Sequence, residues 1–218
     1  MAIFFLWCAP AHAEKCNLGA EVPHRVSLSG SVVVIFRDDQ CFGVYENGRI
    51  AHRDVSESGW YVRRPLYGWA STGSDANATP LSDPSQGPQR VVRSSRDHRS
   101  KEIRIKVGGR WVDAPMPFAL FFDANGRAIH AGYVRRERAS HGCVRIPMAA
   151  AQALFDGFDH RSLQIIIVSN RDALQEQWER GSSSDPIVAT ERPRNLQVFP
   201  WNGVNFGAQF PNFEFESE

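Results

Sequence analysis

The chain has 218 residues, of which 42% are hydrophobic, and its 25 Lys and Arg nearly balance its 24 Asp and Glu. This composition argues against a disordered chain, which would be less hydrophobic, and against a general nucleic-acid binder, which would carry a basic excess. No apolar run reaches membrane-span length, and the size suits one domain with extensions.

The N-terminus has the pattern of a secretory signal. Residues 2–8 form a short apolar stretch, and residues 11–13 (Ala-His-Ala) match the small-x-small pattern of a signal-peptidase site. We therefore expect cleavage after Ala13, an N-terminal segment over residues 14–29, and a location in the periplasm or cell envelope. A buried N-terminal strand is the alternative interpretation.

Cysteine content then suggests one disulfide and one reactive thiol. Four cysteines are too few for a disulfide scaffold, and three remain after the predicted cleavage. An odd number outside the cytoplasm favours one bond and one free thiol. Our hypothesis pairs Cys16 with Cys41 and leaves Cys143 as the thiol.

Short strands are predicted over most of the chain. Asn47-Gly48 between two β-branched and aromatic runs indicates a hairpin, because both turn positions need positive φ. Gln164–Val168 is a continuous apolar run, typical of a central strand. The other predicted strands are Ser31–Phe36, Cys41–Glu46, Arg49–Val55, Ile103–Val107, Arg110–Val112, Ala119–Phe122 and Arg127–His130.

Two helices are predicted near the C-terminal end. Met148–Phe155 is Ala-rich and follows Pro147, a residue tolerated at a helix start. Ser169 or Asn170 provides the N-cap for a second helix over Arg171–Arg180.

Three regions are predicted to be irregular or peripheral. Trp60–Asp97 is rich in Ser, Pro, Gly and Arg, which favours a long surface excursion. Ser182–Asp185 is typical of a linker. Asn195–Phe215 carries many aromatic residues, so we expect it to pack back onto the domain; a partner-binding tail is the other interpretation.

The residues most informative about chemistry are His130 and the segment Ser140-His141-Gly142-Cys143-Val144-Arg145. A cysteine is a strong nucleophile only as thiolate, so it needs a base or a positive neighbour. Both histidines are candidates for that base. Gly142 permits a sharp turn, and backbone N–H groups around it could face a developing oxyanion.

A metal site is the competing interpretation of the same residues. His130, His141 and Cys143 offer nitrogen and sulfur ligands, but a fourth ligand and a paired-cysteine motif are missing from the sequence. We therefore expect no metal and no cofactor.

The combination of His130 with Ser-His-Gly-Cys-Val-Arg resembles the signature of the L,D-transpeptidase catalytic domain, the YkuD type. The resemblance covers roughly residues 30–168. Supporting similarities are Gln40, the opening strands over Val32–Tyr45, the turn Tyr45–Gly48, Ser71-Thr72-Gly73 followed by Thr79-Pro80, Met116-Pro117 and the closing strand Ile165–Val168.

The chain also departs from the family pattern. The usual His-Gly is His130-Ala131-Gly132, Leu81-Ser82 replace a glycine, and Trp60–Ala70 and Pro84–Arg99 look like additions. The fold implied is mainly β, a mixed sandwich-like catalytic fold with one or two short helices and long surface insertions. Its domain would span residues 30–168, with a helix and aromatic-rich tail over 169–218.

The resemblance implies acyl transfer on peptidoglycan stem peptides. Cys143 would be the nucleophile and His130 the general base and acid, oriented by a backbone carbonyl near Ala131 or Gly132. His141 and Gly142 would supply oxyanion N–H groups. Ser140 would hold the loop, and Arg145 would bind a substrate carboxylate or brace the loop.

The acceptor is left open by the sequence. An amine of a second stem gives a cross-link, a protein amine gives attachment of that protein to the wall, and water gives an L,D-carboxypeptidase or amidase-type hydrolase. A non-catalytic wall-binding module is a further alternative. We expect neither a nucleic-acid partner nor a stable membrane span.

Overall fold

A computed structural model describes residue 16 and residues 28–57, 60–179 and 213–214. The predicted signal over residues 1–13 and the linker Ser182–Asp185 lie outside these residues. The strands are β1 (Ser31–Phe36), β2 (Cys41–Glu46), β3 (Arg49–Ile50), β4 (His52–Glu57), β5 (Trp60–Pro65), β6 (Tyr67–Trp69), β7 (Gln89–Arg90), β8 (Arg93–Val107), β9 (Arg110–Phe121), β10 (Ala128–Ala131), β11 (Val144–Ile146), β12 (Gln164–Val168) and β13 (Phe213–Glu214). The helices are α1 (Met148–Gly157) and α2 (Arg171–Glu179), with a single 3-10 turn at Asp75–Asn77.

The first sheet has the order β3-β2-β1-β12-β7, with β6 also paired to β2. β1 and β12 run parallel at its centre, and β1 pairs antiparallel with β2. Both central strands are buried on two faces, since Val33 and Ile35 enter one apolar cluster while Val32 and Val34 enter another. This explains why they appear in the sequence as continuous apolar runs.

The second sheet has the order β11-β10-β9-β8-β13. Its inner face contributes Leu120, Ile129 and Val144 to the cluster that also holds Val33 and Ile35 of the first sheet. α1 contributes Ala150 and other buried residues to the same core. The expected fold class, mainly β and sandwich-like with two short helices, is confirmed.

Turn and cap chemistry also agree with the sequence. Asn47 and Gly48 both have positive φ, +49° and +77°, as the predicted two-residue turn requires. Asn170 accepts the N–H of Ala173 through Oδ1 at 2.9 Å, which makes it the N-cap of α2.

The prediction of a surface excursion over Trp60–Asp97 was wrong in part. β5, β6, β7 and the start of β8 lie within it, and Leu66 and Tyr67 are fully buried. The run Leu66–Ala70 packs because β6 pairs with β2. The polar start of β8 is a strand because its backbone pairs with β9, a long-range contact that its side chains do not reveal.

Two hairpins differ from their predicted length. The predicted strand over Arg49–Val55 splits into β3, which pairs with β2, and β4, which pairs with β5. β8 and β9 extend far beyond the predicted strands Ile103–Val107 and Arg110–Val112.

Cys16 and Cys41 form a disulfide, and Cys143 is a free thiol, as hypothesised. Phe213–Glu214 pair antiparallel with Lys106 and Val107 of β8. The rest of the aromatic segment lies outside the described residues, so its packing stays a prediction. Among the described residues, the helices are too short or too polar to cross a bilayer.

Candidate active site

The parallel pairing of β10 and β11 brings the two halves of the motif together. His130 lies opposite Arg145, and Ile129 lies opposite Val144. One step earlier in the same register, Cys143 lies opposite Ala128. Since alternate strand residues share a face, His130, Arg145 and Cys143 lie on one face, while Ile129 and Val144 enter the core on the other.

His130 and Cys143 are therefore diagonal neighbours. A strand spacing of about 4.8 Å and a rise of about 3.3 Å per residue put their Cα atoms about 8 Å apart. Side chains of this length can meet across that gap. A connection of a dozen residues separates β10 from β11, so His130 and Cys143 come together only in the folded chain.

The His130 ring is buried, with 6% of its surface exposed. Its Nδ1 lies 2.8 Å from the carbonyl oxygen of Ala131. A carbonyl only accepts hydrogen bonds, so Nδ1 carries the proton and Nε2 has the free lone pair. Burial lowers the pKa of His130 to about 4, the hydrogen bond to Ala131 opposes this shift, and the Arg145 guanidinium adds to it. The ring is thus a neutral base at pH 7.

The Cys143 thiol is partly exposed and packs against the buried side chains of Met116, Ala119, Phe121 and Ala128. Burial raises the pKa of Cys143, while a backbone hydrogen bond with Ala128 and the charge of Arg145 lower it. The resting pair is accordingly a thiol beside a neutral imidazole, rather than a thiolate–imidazolium ion pair.

Gly142 turns the chain just before Cys143 with a φ of +101°, a conformation that favours glycine. The Thr79 hydroxyl donates to the Gly142 carbonyl at 3.0 Å and accepts the Gly73 N–H at 2.8 Å. A Cβ on Gly73 would lie 2.9 Å from the Gly142 Cα. The backbones of these two glycines therefore pack directly together, and Thr79 fixes their separation.

Backbone pairing holds the rest of the motif. Ser71 and Arg145 exchange two hydrogen bonds of 2.9 Å, and Ser140 donates through its N–H to the Thr72 carbonyl. The Ser140 hydroxyl donates to the Cys143 carbonyl. Gln40 binds Thr72 twice, through Oε1 and Nε2, from a buried position.

Free donors lie at the turn itself. The backbone N–H groups of His141, Gly142 and Cys143 donate to no acceptor in the described part of the chain. The His141 side chain is exposed, whereas Gly142 is buried. Three unpaired donors beside a thiol form the arrangement that stabilises an oxyanion.

Arg145 is half-buried and makes no ion pair with any described residue. Its aliphatic stem crosses Gly132, where a Cβ would lie 3.1 Å from the Arg145 Cγ. Arg127, by contrast, is paired with Asp123 at 2.8 Å. Arg145 is thus a cation whose charge acts on Cys143 and whose guanidinium has no acidic partner among the described residues.

Among the described residues, no group of three or more His, Cys, Asp or Glu side chains lies close enough together to hold a metal ion. The His141 side chain is exposed, whereas the His130 side chain is buried.

The supporting roles of Gly73, Thr79 and Gln40 were missed by reasoning from residue chemistry. They entered the sequence analysis only through resemblance, because hydrogen bonds across 32 to 63 positions leave no local pattern. In the structure, the burial of Gln40 and Thr79 indicates these roles. Burial cannot be read from the amino-acid composition.

A model of the L,D-transpeptidase catalytic domain (YkuD) family matches residues 30–167, well over half of the chain. No curated protein sequence matches the chain. Among solved structures, L,D-transpeptidase 3 from Mycobacterium tuberculosis with a faropenem-derived adduct is 18% identical, with a TM-score of 0.48 over 63% of this chain and 60% of that one. An L,D-transpeptidase (Yku) from Stackebrandtia nassauensis is 20% identical, with a TM-score of 0.43 over 66% of this chain and 58% of that one. The Enterococcus faecium L,D-transpeptidase is 18% identical, with a TM-score of 0.45 over 65% and 50%. The chain thus spans between half and three fifths of these structures.

Proposed function

Because the chain belongs to the L,D-transpeptidase catalytic domain (YkuD) family, we propose that it is a peptidoglycan L,D-transpeptidase of the cell envelope that uses Cys143 as its nucleophile. The observation that carries the proposal is the parallel register of β10 and β11, which puts a neutral buried histidine and a thiol on one face. The donor is a tetrapeptide stem, cleaved between its diamino acid and its terminal D-alanine.

In the first half-reaction, the Cys143 sulfur attacks the donor carbonyl carbon. A C–S bond forms as the thiol proton moves to Nε2 of His130, and the carbonyl electrons move onto oxygen. Nδ1 keeps its proton and its bond to Ala131, so that bond fixes the ring while its charge changes. The intermediate then collapses, the C–N bond breaks, and His130 gives its proton to the departing D-alanine amine.

The second half-reaction repeats these steps with an acceptor amine. The amine attacks the thioester carbon and passes a proton to His130. Collapse breaks the C–S bond and forms an amide, and the proton returns to the Cys143 sulfur. Water in place of the amine yields hydrolysis by the same steps.

The oxyanion of both intermediates would lie against the turn at Gly142. The N–H groups of residues 141–143 are the donors, and their freedom from other acceptors is what supports this assignment. Loss of one such donor typically costs 10²- to 10³-fold in rate. The exposed His141 side chain would contact substrate rather than take part in proton transfer.

Arg145 would bind a carboxylate of the donor stem. Its guanidinium is unpaired among the described residues, and its stem is anchored across Gly132. A planar guanidinium can bind a carboxylate through two parallel hydrogen bonds. The same positive charge favours the thiolate of Cys143 as the proton leaves.

The test is incubation of the protein with purified sacculi or tetrapeptide muropeptides, followed by mass analysis of products and of intact protein. Cross-linked dimers indicate transfer to a stem, shortened monomers indicate hydrolysis, and a stem adduct on Cys143 identifies the thioester. Cys143→Ala should abolish adduct and products while leaving the fold intact.

Two histidine variants provide the matched comparison. His130→Ala should lower turnover by about 10²- to 10⁴-fold, since it removes the general base. His141→Ala removes an imidazole from the same site and should cost much less. Turnover that persists in Cys143→Ala would overturn the proposal. An inert thiol in the wild-type chain would favour the wall-binding alternative.

A further inference from the structure

A second set of polar side chains contacts the apolar cluster of Met116, Ala119, Phe121 and Ala128, against which Cys143 packs. Arg93 of β8 is opposite Phe121 in the strand register, and its guanidinium carbon lies 3.7 Å from the centre of the Phe121 ring. The ring of His98 meets the edge of the same phenyl at 5.0 Å. Phe121 itself is buried, with 2% of its surface exposed.

The cluster that contains Phe121 also contacts Cys143. Phe121, Met116 and Ala128 belong to one buried cluster, and Cys143 packs against it. His98 is the strand partner of Met116. Arg93 and His98 therefore contact the same apolar cluster as Cys143, on the face of the second sheet that carries Cys143 and His130.

Arg93 lacks an acidic partner within the described part of the chain. Its side chain is exposed, and none of the described residues forms an ion pair with it. Asp97, on the same strand, makes no ion pair with it either. Stacking on an aromatic face leaves the guanidinium edge free for a planar anion.

Arg96, three residues further along the strand, has a different environment. It pairs with Asp156 at 2.5 Å and lies over the rings of Phe118 and Phe155. Phe118 belongs to the inner-core side of the sheet. The strand thus places one arginine in a structural ion pair, whereas Arg93 lies over the cluster against which Cys143 packs and forms no ion pair with any described residue.

We propose that Arg93 and His98 form an anion subsite that binds a carboxylate of the peptide substrate beside Cys143. The proposal rests on the proposed function and adds to it, since stem peptides end in carboxylates.

The probe is a matched pair of maleimides that alkylate Cys143. One carries a propionate chain and the other a neutral propyl chain of similar size, and mass analysis of the Cys143 peptide gives each rate. Their ratio reports attraction of a carboxylate and does not depend on peptide transfer. Arg93→Gln should lower the ratio three- to ten-fold and leave the neutral rate unchanged, while Arg93→Lys should keep part of it.

Arg96→Gln is the control, because it removes the same charge from the same strand on the other side. It should leave the ratio near the wild-type value. An equal ratio in the two glutamine variants would overturn the subsite, as would an equal fall in the neutral rate in Arg93→Gln. If the ratio falls as expected but no stem peptide is transferred, the subsite stands and the proposed function fails.

Discussion

Protonation of His130 should destabilise the protein in acid, over a range set by two pKa values. Burial lowers the pKa of His130 to about 4 in the folded chain, whereas an imidazole in the unfolded chain titrates near 6.5. Between these values the unfolded chain binds a proton that the folded chain excludes. The stability contribution is therefore complete above pH 6.5 and is lost as the pH falls through 4.

The magnitude follows from the two values. Each pKa difference of one corresponds to about 1.4 kcal/mol. The free energy of unfolding should therefore be lower by about 1 kcal/mol at pH 5.5 and by about 3 kcal/mol at pH 4 than at pH 7, from this group alone. Carboxylates also make the free energy of unfolding depend on pH in acid. A variant that lacks only the His130 imidazole keeps that dependence.

The assay is urea unfolding of the wild type, His130→Gln and His141→Gln at pH 7, 5.5 and 4. Relative to the wild type, His130→Gln should lose about 3 kcal/mol less between pH 7 and pH 4. His141→Gln, which removes an exposed imidazole from the same site, should follow the wild-type curve. Parallel curves for the wild type and His130→Gln would refute the burial and neutrality of His130, and with them its role as base.

The same low histidine pKa should place the acid limb of kcat/KM nearer pH 4 than 6.5, measured by muropeptide turnover across pH. Thr79→Val removes the hydroxyl that joins Gly73 and Gly142, and should cost about 1–3 kcal/mol in urea unfolding and slow Cys143 alkylation; Thr79→Ser, which keeps the hydroxyl, should do neither. Gly73→Ala would put a Cβ 2.1 Å from a backbone oxygen and 2.9 Å from the Gly142 Cα, so turnover should fall even where the fold survives; an unchanged rate would contradict the close packing. Reduction of the disulfide between Cys16 and Cys41, which closes a loop with a sequence separation of 25, should lower the free energy of unfolding by about 3.5 kcal/mol, and equal denaturation midpoints with and without reductant would disagree.

Much of the fold could be predicted from local features of the sequence. The Asn47-Gly48 turn, the continuous apolar run at Gln164–Val168 and the helix after Pro147 depend on positive φ, two-sided burial and helix-start preferences, each confined to a few residues. Such features can be read without knowing which segments meet. β6 (Tyr67–Trp69) and the polar start of β8 were missed because pairing with another strand forms them.

The candidate active site also has some properties that the sequence determines and others that only the tertiary structure determines. The sequence determined which groups are available, since a cysteine two residues after a histidine, with a second histidine upstream, already indicates thiol chemistry. Only the tertiary structure decided their states and partners. The β10–β11 register puts His130 on the face of Cys143, and burial makes that imidazole neutral. Thr79 holds the turn at Gly142 and Gln40 holds Thr72, each through a hydrogen bond between positions far apart in the sequence. These properties arise from packing and long-range hydrogen bonds, which depend on distances in space that residue order alone does not encode.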